Sequence, residues 1–410
     1  MVSVVELKQI PEGYKQTEVG VVPSDWVVFE IQNISKTGSG TTPARAQEDR
    51  YFKGGEIFWV KTTDLNNSVI QTTEDKVTDL ALKETCLQVY PIGTVLVAMY
   101  GGFNQIGRTG ILSIPAAVNQ ALVAVQVNKK IESRYLLDVL NYKVEYWKAV
   151  ASSSRKDPNI TSLDVKRFKL ALPPTKTEQT AIAKSLSDVD ALITSLEKLV
   201  TKKRAIKTAA MQQLLTGKKR LPPFDKTHTG YKQTELGEIP EDWDVTSIED
   251  ITYVDPENLN SSTNANYEFD YISLEQVVRG SLTDTTKYKY FEAPSRARRI
   301  VRKGDVLVST VRPNLMSHYI QVTQRENLIC STGFTVLRAK GNCCDGLFLF
   351  FHLFAEIINK QIDMLISGSN YPAINSGDVK GLKIPLPSID EQHEISKILF
   401  DMDNEVEALE

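Results

Sequence analysis

The feature that most constrains this chain is that it repeats itself. Gly13-Tyr14-Lys15-Gln16-Thr17-Glu18-Val19-Gly20-Val21-Val22-Pro23-Ser24-Asp25-Trp26 returns as Gly230-Tyr231-Lys232-Gln233-Thr234-Glu235-Leu236-Gly237-Glu238-Ile239-Pro240-Glu241-Asp242-Trp243, an offset of 217 residues. The segment from Asp164-Val165-Lys166 to Leu172-Pro173 pairs with Asp378-Val379-Lys380 to Leu386-Pro387 at offset 214, and Glu178-Gln179 pairs with Glu391-Gln392 at offset 213. Three landmarks in one order at nearly constant offset define a tandem duplication. A chain of 410 residues is long enough to give each copy its own core.

Between the landmarks the copies diverge. Gly93-Thr94-Val95-Leu96-Val97 resembles Gly304-Asp305-Val306-Leu307-Val308, but Ala98-Met99-Tyr100-Gly101 is followed by nothing like Ser309-Thr310-Val311-Arg312-Pro313-Asn314. A shared frame with unlike surfaces suits two modules that bind different ligands; neutral drift after an old duplication gives the same pattern. Short β-branched runs (Glu56–Val60, Thr94–Ala98, Leu122–Val127; Asp305–Ser309, Phe334–Leu337) predict strands, and Arg134–Ala151 and Leu347–Ile366 predict helices, so each module is mixed α/β.

From Glu178 the periodicity changes. Ile182, Leu186, Val189, Ile193, Leu196 and Val200 recur at spacings of four and three, a heptad seam. The helix is expected to run on through Leu214 to a cap at Gly217, about 38 residues or roughly 57 Å. Ile395, Leu399, Met402, Val406 and Leu409 repeat the seam in the second copy. Two repeated seams predict an antiparallel, pseudo-twofold pairing of the two helices; the alternative is that each seam covers its own module.

The loops between elements carry the chemistry of DNA contact. Arginine and lysine suit guanine edges and phosphates, and asparagine and glutamine suit adenine. The candidates are Arg45, Lys61, Asn104, Gln105, Arg108, Arg155 and Lys156 in the first copy, and Arg296, Arg298, Arg299, Arg312, Asn314 and Asn370 in the second. The net charge of −3 does not decide the matter, because placement rather than sum governs binding.

Several classes of activity find no support. There is no GxxxxGK[ST] loop, no GxGxxG after a strand and no [Asn/Asp]-Pro-Pro-[Tyr/Phe] motif. Cys86, Cys330, Cys343 and Cys344 lack paired spacing, and His228, His318, His352 and His393 lack spaced partners, so neither a metal site nor a catalytic triad is expected. No apolar run approaches a membrane span and Met1–Gln9 does not resemble a signal peptide, which makes the cytoplasm the expected location, with no membrane partner.

Taken together, the GYKQTExGxxPxDW copies at Gly13 and Gly230, the Pro-rich strand ends leading into Glu178-Gln179 and Glu391-Gln392, Asn119-Gln120, and Leu214-Leu215-Thr216-Gly217-Lys218 closing the long helix resemble the specificity subunit of type I restriction-modification systems, over essentially the whole chain. That resemblance implies a non-catalytic subunit with two target recognition domains, each reading half of a bipartite site in double-stranded DNA, joined by antiparallel coiled-coil spacer helices that dock methyltransferase subunits. It implies restriction subunits as further partners, with S-adenosylmethionine and ATP bound by those partners and no cofactor in this chain. The implied organisation is an N-terminal segment (1–20), a first recognition domain (21–175), a central spacer helix (176–216), a linker repeating the N-terminal segment (217–238), a second recognition domain (239–388) and a distal spacer helix (389–410). A structural adaptor and a self-sufficient methyltransferase are the alternatives.

Overall fold

The strands form where β-branched residues alternate between two faces that both need cover. In the computed structural model, which describes residues 10–101, 105–152, 159–226, 230–366 and 372–410, Val95–Ala98 and Leu122–Val127 pair antiparallel, with Leu122 opposite Ala98 and Val125 opposite Val95. Val95, Val97, Val123 and Val125 pack against the Ser133–Tyr142 helix through Tyr135, Leu136, Leu137 and Leu140. Leu96, Ala98, Leu122 and Ala124 point the other way, into a core closed by Val60, Tyr90, Ala116 and Val118. Successive side chains on a strand face opposite sides, so a run of small and branched apolar residues is what a doubly covered strand requires.

The chain divides into two compact units, Met1–Ile193 and Thr194–Glu410. In the first, a five-stranded sheet is ordered Ser35–Ser39, Leu122–Val127, Val95–Ala98, Thr109–Leu112, Ser68–Ile70, and a four-stranded sheet Asp75–Val77, Ile57–Val60, Ala116–Val118, Val89–Tyr90. The second repeats the plan with two four-stranded sheets: Thr252–Val254, Phe334–Ala339, Val306–Ser309, Tyr319–Ile320; and Thr286–Lys289, Glu268–Ile272, Leu328–Ser331, Ala297–Val301. Its central pair keeps the same register, Phe334 opposite Ser309 and Leu337 opposite Val306. Each expected long helix of the modules is broken in two. The first copy has Ser133–Tyr142 and Val144–Ser152; the second has Gly346–His352 and Glu356–Leu365, separated by an extended Ala355.

The long helix runs from Lys176 to Leu214, 39 residues. Gly217 closes it in a left-handed conformation (φ +69°), and a Cβ there would fall 2.4 Å from the Pro240 ring, so conformation and packing both demand glycine. The C-terminal helix runs from Ile389 to Glu407, capped by the Ser388 hydroxyl, which accepts from the Glu391 amide.

The seam residues are distributed unequally. Ile395 and Leu399 are buried in the second unit's core beside Leu214, Leu215 and Phe348, and Met402 packs at its edge; Val406 and Leu409 are half-buried. Ile182 packs on the first unit's core, whereas Leu186, Val189 and Ile193 are about half exposed, Leu196 is exposed and Val200 half-buried. The first turns of each seam therefore cover their own unit. Within the second unit the two helices are also tied by ion pairs: Lys203 with Glu405 at 2.5 Å, Arg204 with Glu410, and Lys207 with Asp403.

Candidate nucleic-acid interface

Both units build a rim at the end of their central strand, from the same backbone hydrogen bonds. In the second unit the Thr310 amide donates to the Gly333 carbonyl at 2.9 Å, and the Ile374 amide donates to the Thr310 carbonyl at 3.0 Å. In the first, the Met99 amide donates to Ala121 at 2.8 Å, and the Ile160 amide donates to Met99 at 2.9 Å. Backbone groups buried at a strand end must find partners, and here they find them in two incoming loops. The effect is to gather three separate segments of each copy at one edge.

In the second unit that edge holds several of the expected residues. The Arg312 amide donates to the Pro372 carbonyl at 2.8 Å, and the Thr332 amide donates to Arg296 at 2.9 Å. Arg296, Arg312 and Asn314 are exposed and come together there; Asn370 lies outside the described residues. Arg298 lies at the same edge but stacks its guanidinium over the Tyr290 ring at 4.9 Å.

Arg299 is placed differently from what its position in a basic run suggests. Its side chain is largely buried, bonded to the Asp255 carboxylate and the Phe334 carbonyl, with Ser376 at 3.3 Å. Asp255 also accepts from the Val336 amide and the Ser376 hydroxyl, each at 2.8 Å. Lending Arg299 to a phosphate would leave Asp255 buried and uncompensated, so its role is to hold the rim together. Beside it, the hydrogen bonds that the Arg338 guanidinium donates to the Asp305 and Glu257 carboxylates hold it above its ordinary pKa. Hydrogen bonding to Arg338, and then to Arg302, keeps the Glu257 carboxyl below the usual range against the opposing effect of burial.

The first unit's edge carries Lys61, Tyr100 and Gln120, because the Asn119 amide donates to the Val60 carbonyl at 2.9 Å. Burial raises the Tyr100 phenol, against a hydrogen bond with the Gln120 side chain. Lys61 is committed to Glu74 at 2.8 Å and Asp75 at 3.1 Å, and Arg45 to Asp75. Burial opposes ionisation of Asp75, yet its hydrogen bonds from Arg45 and Lys61 hold the carboxyl below its ordinary value. Arg45 also lies 4.2 Å from the centre of the Phe52 ring. Gln105 and Arg108 are half-buried on the loop returning from Gly101; Asn104, Arg155 and Lys156 lie outside the described residues.

Leu315, Thr332, Tyr100 and Gln120 also stand at these edges and are not among the candidates that residue type in the loops picks out. The signal that finds them is position, immediately past a strand end. Among the described residues, no cluster of His, Cys, Asp and Glu is arranged to hold a metal ion, and no helix is long and apolar enough to cross a membrane.

The two units are thus like α/β frames, each ending its central strand in a rim of side chains that the other does not share. A family model described as the type I restriction modification DNA specificity domain matches residues 23–208 and again 240–410. The chain belongs to that family, the specificity subunits of type I restriction-modification systems, whose task is recognition of DNA sequence. It is 27% identical over 412 residues to the putative type I restriction enzyme MjaX specificity subunit of Methanocaldococcus jannaschii, covering 97% of this chain and 91% of that one. It is 26% identical to the MjaVIII specificity subunit of the same organism, over 97% and 90% of the two chains. In fold it is similar to the crystal structure of a type I system S subunit from M. genitalium, with TM-score 0.55, 16% identity, and 94% and 91% of the chains covered. A chain from a structural study of complex assembly and conformational transition in the type I system aligns with TM-score 0.52 at 17% identity, over 94% and 92%.

Proposed function

We propose that each unit reads one half of a bipartite duplex site through its rim, without catalysing a reaction itself. The observation that carries this reading is the recurrence of one hydrogen-bonded rim scaffold, Thr310–Gly333–Ile374 and Met99–Ala121–Ile160, under side chains that do not correspond. A frame kept constant under a changing surface is what two readers of different half-sites need. Duplex DNA makes most of its contacts through phosphates, and base edges supply the discrimination.

In the same reading, the Lys176–Leu214 and Ile389–Glu407 helices act as an antiparallel spacer that sets the number of base pairs between half-sites and docks methyltransferase subunits. Support comes from the ion pairs of Lys203 with Glu405 and of Lys207 with Asp403, which step in opposite senses along the two helices. S-adenosylmethionine and ATP belong, on this reading, to methyltransferase and restriction partners. Cytoplasmic DNA would be the setting.

The test is methylome sequencing of cells carrying this chain with its partner subunits, repeated after insertion of one helical turn following Val200. A bipartite motif whose spacer lengthens while both half-sites persist is the expected result. An unchanged spacing would remove the ruler, and a single undivided motif would remove the two-reader model. Equilibrium dialysis of the isolated chain with S-adenosylmethionine is expected to show no binding.

A further inference from the structure

One turn of the second unit is held in a conformation that its residues do not favour. Arg312 (φ 50°) and Met316 (φ 53°), neither of them glycine, both lie in the left-handed region on either side of the Pro313–Leu315 turn. Left-handed backbone is unfavourable for residues with a Cβ and persists only where the surroundings over-determine it. Here they do. Pro313 is buried, the Leu315 amide donates to Arg312 and the Met316 amide to Pro313, both at 2.9 Å, and the Arg312 amide is tied to Pro372. Across the base of the hairpin the Ser309 amide donates to the buried His318 Nδ1 at 3.2 Å. The Glu356–Leu365 helix packs alongside.

The consequence is two exposed side chains at the apex. Leu315 is 53% exposed, although burying it would be favourable, and Asn314 is exposed with no hydrogen bond from its carboxamide among the described residues. Leu315 has no polar group to offer a phosphate, and the Asn314 carboxamide, uncharged, both donates and accepts where a phosphate only accepts. A carboxamide matches the N6 donor and N7 acceptor that adenine shows in the major groove, and an apolar side chain beside it matches the thymine methyl. The first unit's corresponding stretch, from Tyr100, has neither residue at these positions.

Resting on the DNA-reading role set out above, we propose that the Arg312–Met316 turn is the base-reading element of the second unit, with Asn314 on an adenine and Leu315 on a thymine methyl, so that the half-site contains an A·T-specified step read from the major groove. Binding selection from a randomised duplex library tests it, using the full chain as wild type, Asn314→Ala, Asn314→Asp and Leu315→Ala, with a thermal melt of each variant. The wild type is expected to select two half-sites. Asn314→Ala is expected to lose preference at one adenine of one half-site by about fivefold to a hundredfold, leaving the other half-site intact. Asn314→Asp, which keeps the shape of the side chain, is expected to move that preference towards cytosine, whose N4 donates. Replacing that adenine by 7-deazaadenine is expected to weaken the wild type and not Asn314→Ala, and replacing the neighbouring thymine by deoxyuridine to weaken the wild type and not Leu315→Ala. Retained preference in Asn314→Ala and Asn314→Asp, or an equal loss for every sequence, would overturn the assignment while the bipartite reading stood. Indifference of the wild type to both modified bases would overturn the major-groove contact. A wild type that selects no sequence would bring down the DNA-reading role itself, and this assignment with it.

Discussion

The indole N–H of Trp243 donates to the buried carboxylate of Glu391 at 3.2 Å, joining the end of the repeated opening motif to the first turn of the C-terminal helix. The same bond occurs in the first unit between Trp26 and Glu178, at 3.3 Å. The next residue is duplicated in function too. Gln179 accepts from the Glu132 amide and donates to Lys130 and Pro173 carbonyls, and Gln392 accepts from Asp345 and donates to Cys343 and Pro387. The two Glu-Gln pairs are thus joints: each fastens a helix to the strand end and loop of its own unit.

The joints differ in strength. Glu391 is 1% exposed and forms a bidentate pair with Arg220, whose side chain is only 6% exposed, at 2.6 and 2.8 Å. Hydrogen bonding to Glu391 raises the Arg220 guanidinium further. Removing one member of such a pair leaves the other buried and unpaired, so Arg220→Ala is expected to destabilise the second unit by about 3–5 kcal/mol. Trp26→Phe, where Glu178 is only half-buried, is expected to cost about 1 kcal/mol. Urea titrations of the two variants check the ranking; equal losses would refute it.

Arg299 and Arg296 stand three residues apart and are expected to behave oppositely. Arg299→Ala strips the charge partner from Asp255 and is expected to lower stability by about 3–5 kcal/mol. Arg296→Ala, on an exposed side chain, is expected to leave stability within about 0.5 kcal/mol. It should nonetheless weaken DNA binding and reduce its salt dependence. A melt beside a salt titration of binding separates the two roles, and a stable Arg299→Ala chain with impaired binding would reverse the assignment.

Much of this was legible in the residues, and the limits have physical causes. The duplication, the alternating strands and the extent of the long helix rest on local pattern, which a sequence displays directly. The Glu-Gln pairs were visible as landmarks but not as joints, because Arg220 reaches Glu391 across 171 residues of chain. Arg299 looked like surface charge because Asp255 and Ser376, which bury it, are 44 and 77 residues away. Leu315 was overlooked because an exposed leucine has no distinguishing neighbours until the turn conformation is known. The seam showed a helical period and nothing about which part of it each unit would bury.

Two buried histidines make the second unit acid-sensitive. Burial drives His318 and His352 down to about 4, and the Nε2 of His318 is buried without a hydrogen-bond partner among the described residues. Both are neutral in the folded chain, while an unfolded histidine takes up a proton near pH 6.5. Below that pH the unfolded state binds more protons, so stability falls as pH drops from about 6.5 towards 4. By pH 5 the loss is expected to reach roughly 2 kcal/mol per histidine. Unfolding midpoints at pH 7 and pH 5, with His318→Gln showing the smaller drop, check it; a midpoint that does not move would exclude the effect.

The exposed part of the first seam gives a test of partner docking in which a melt separates docking from folding. Leu186 (47%), Val189 (53%) and Ile193 (49%) lie on one face of the long helix, and none belongs to the first unit's core. Both side chains are about half exposed and lie outside that core, so Val189→Glu with Ile193→Glu is expected to leave the melting temperature nearly unchanged. If this face receives the methyltransferase subunits, as proposed, the same double variant puts unpaired carboxylates into an apolar interface, which costs several kcal/mol and should abolish co-purification. Binding of the isolated chain to DNA should survive, because both rims are untouched. A double variant that melts normally and still co-purifies would move the docking surface elsewhere, whereas one that melts early would mean the face is packed within the chain.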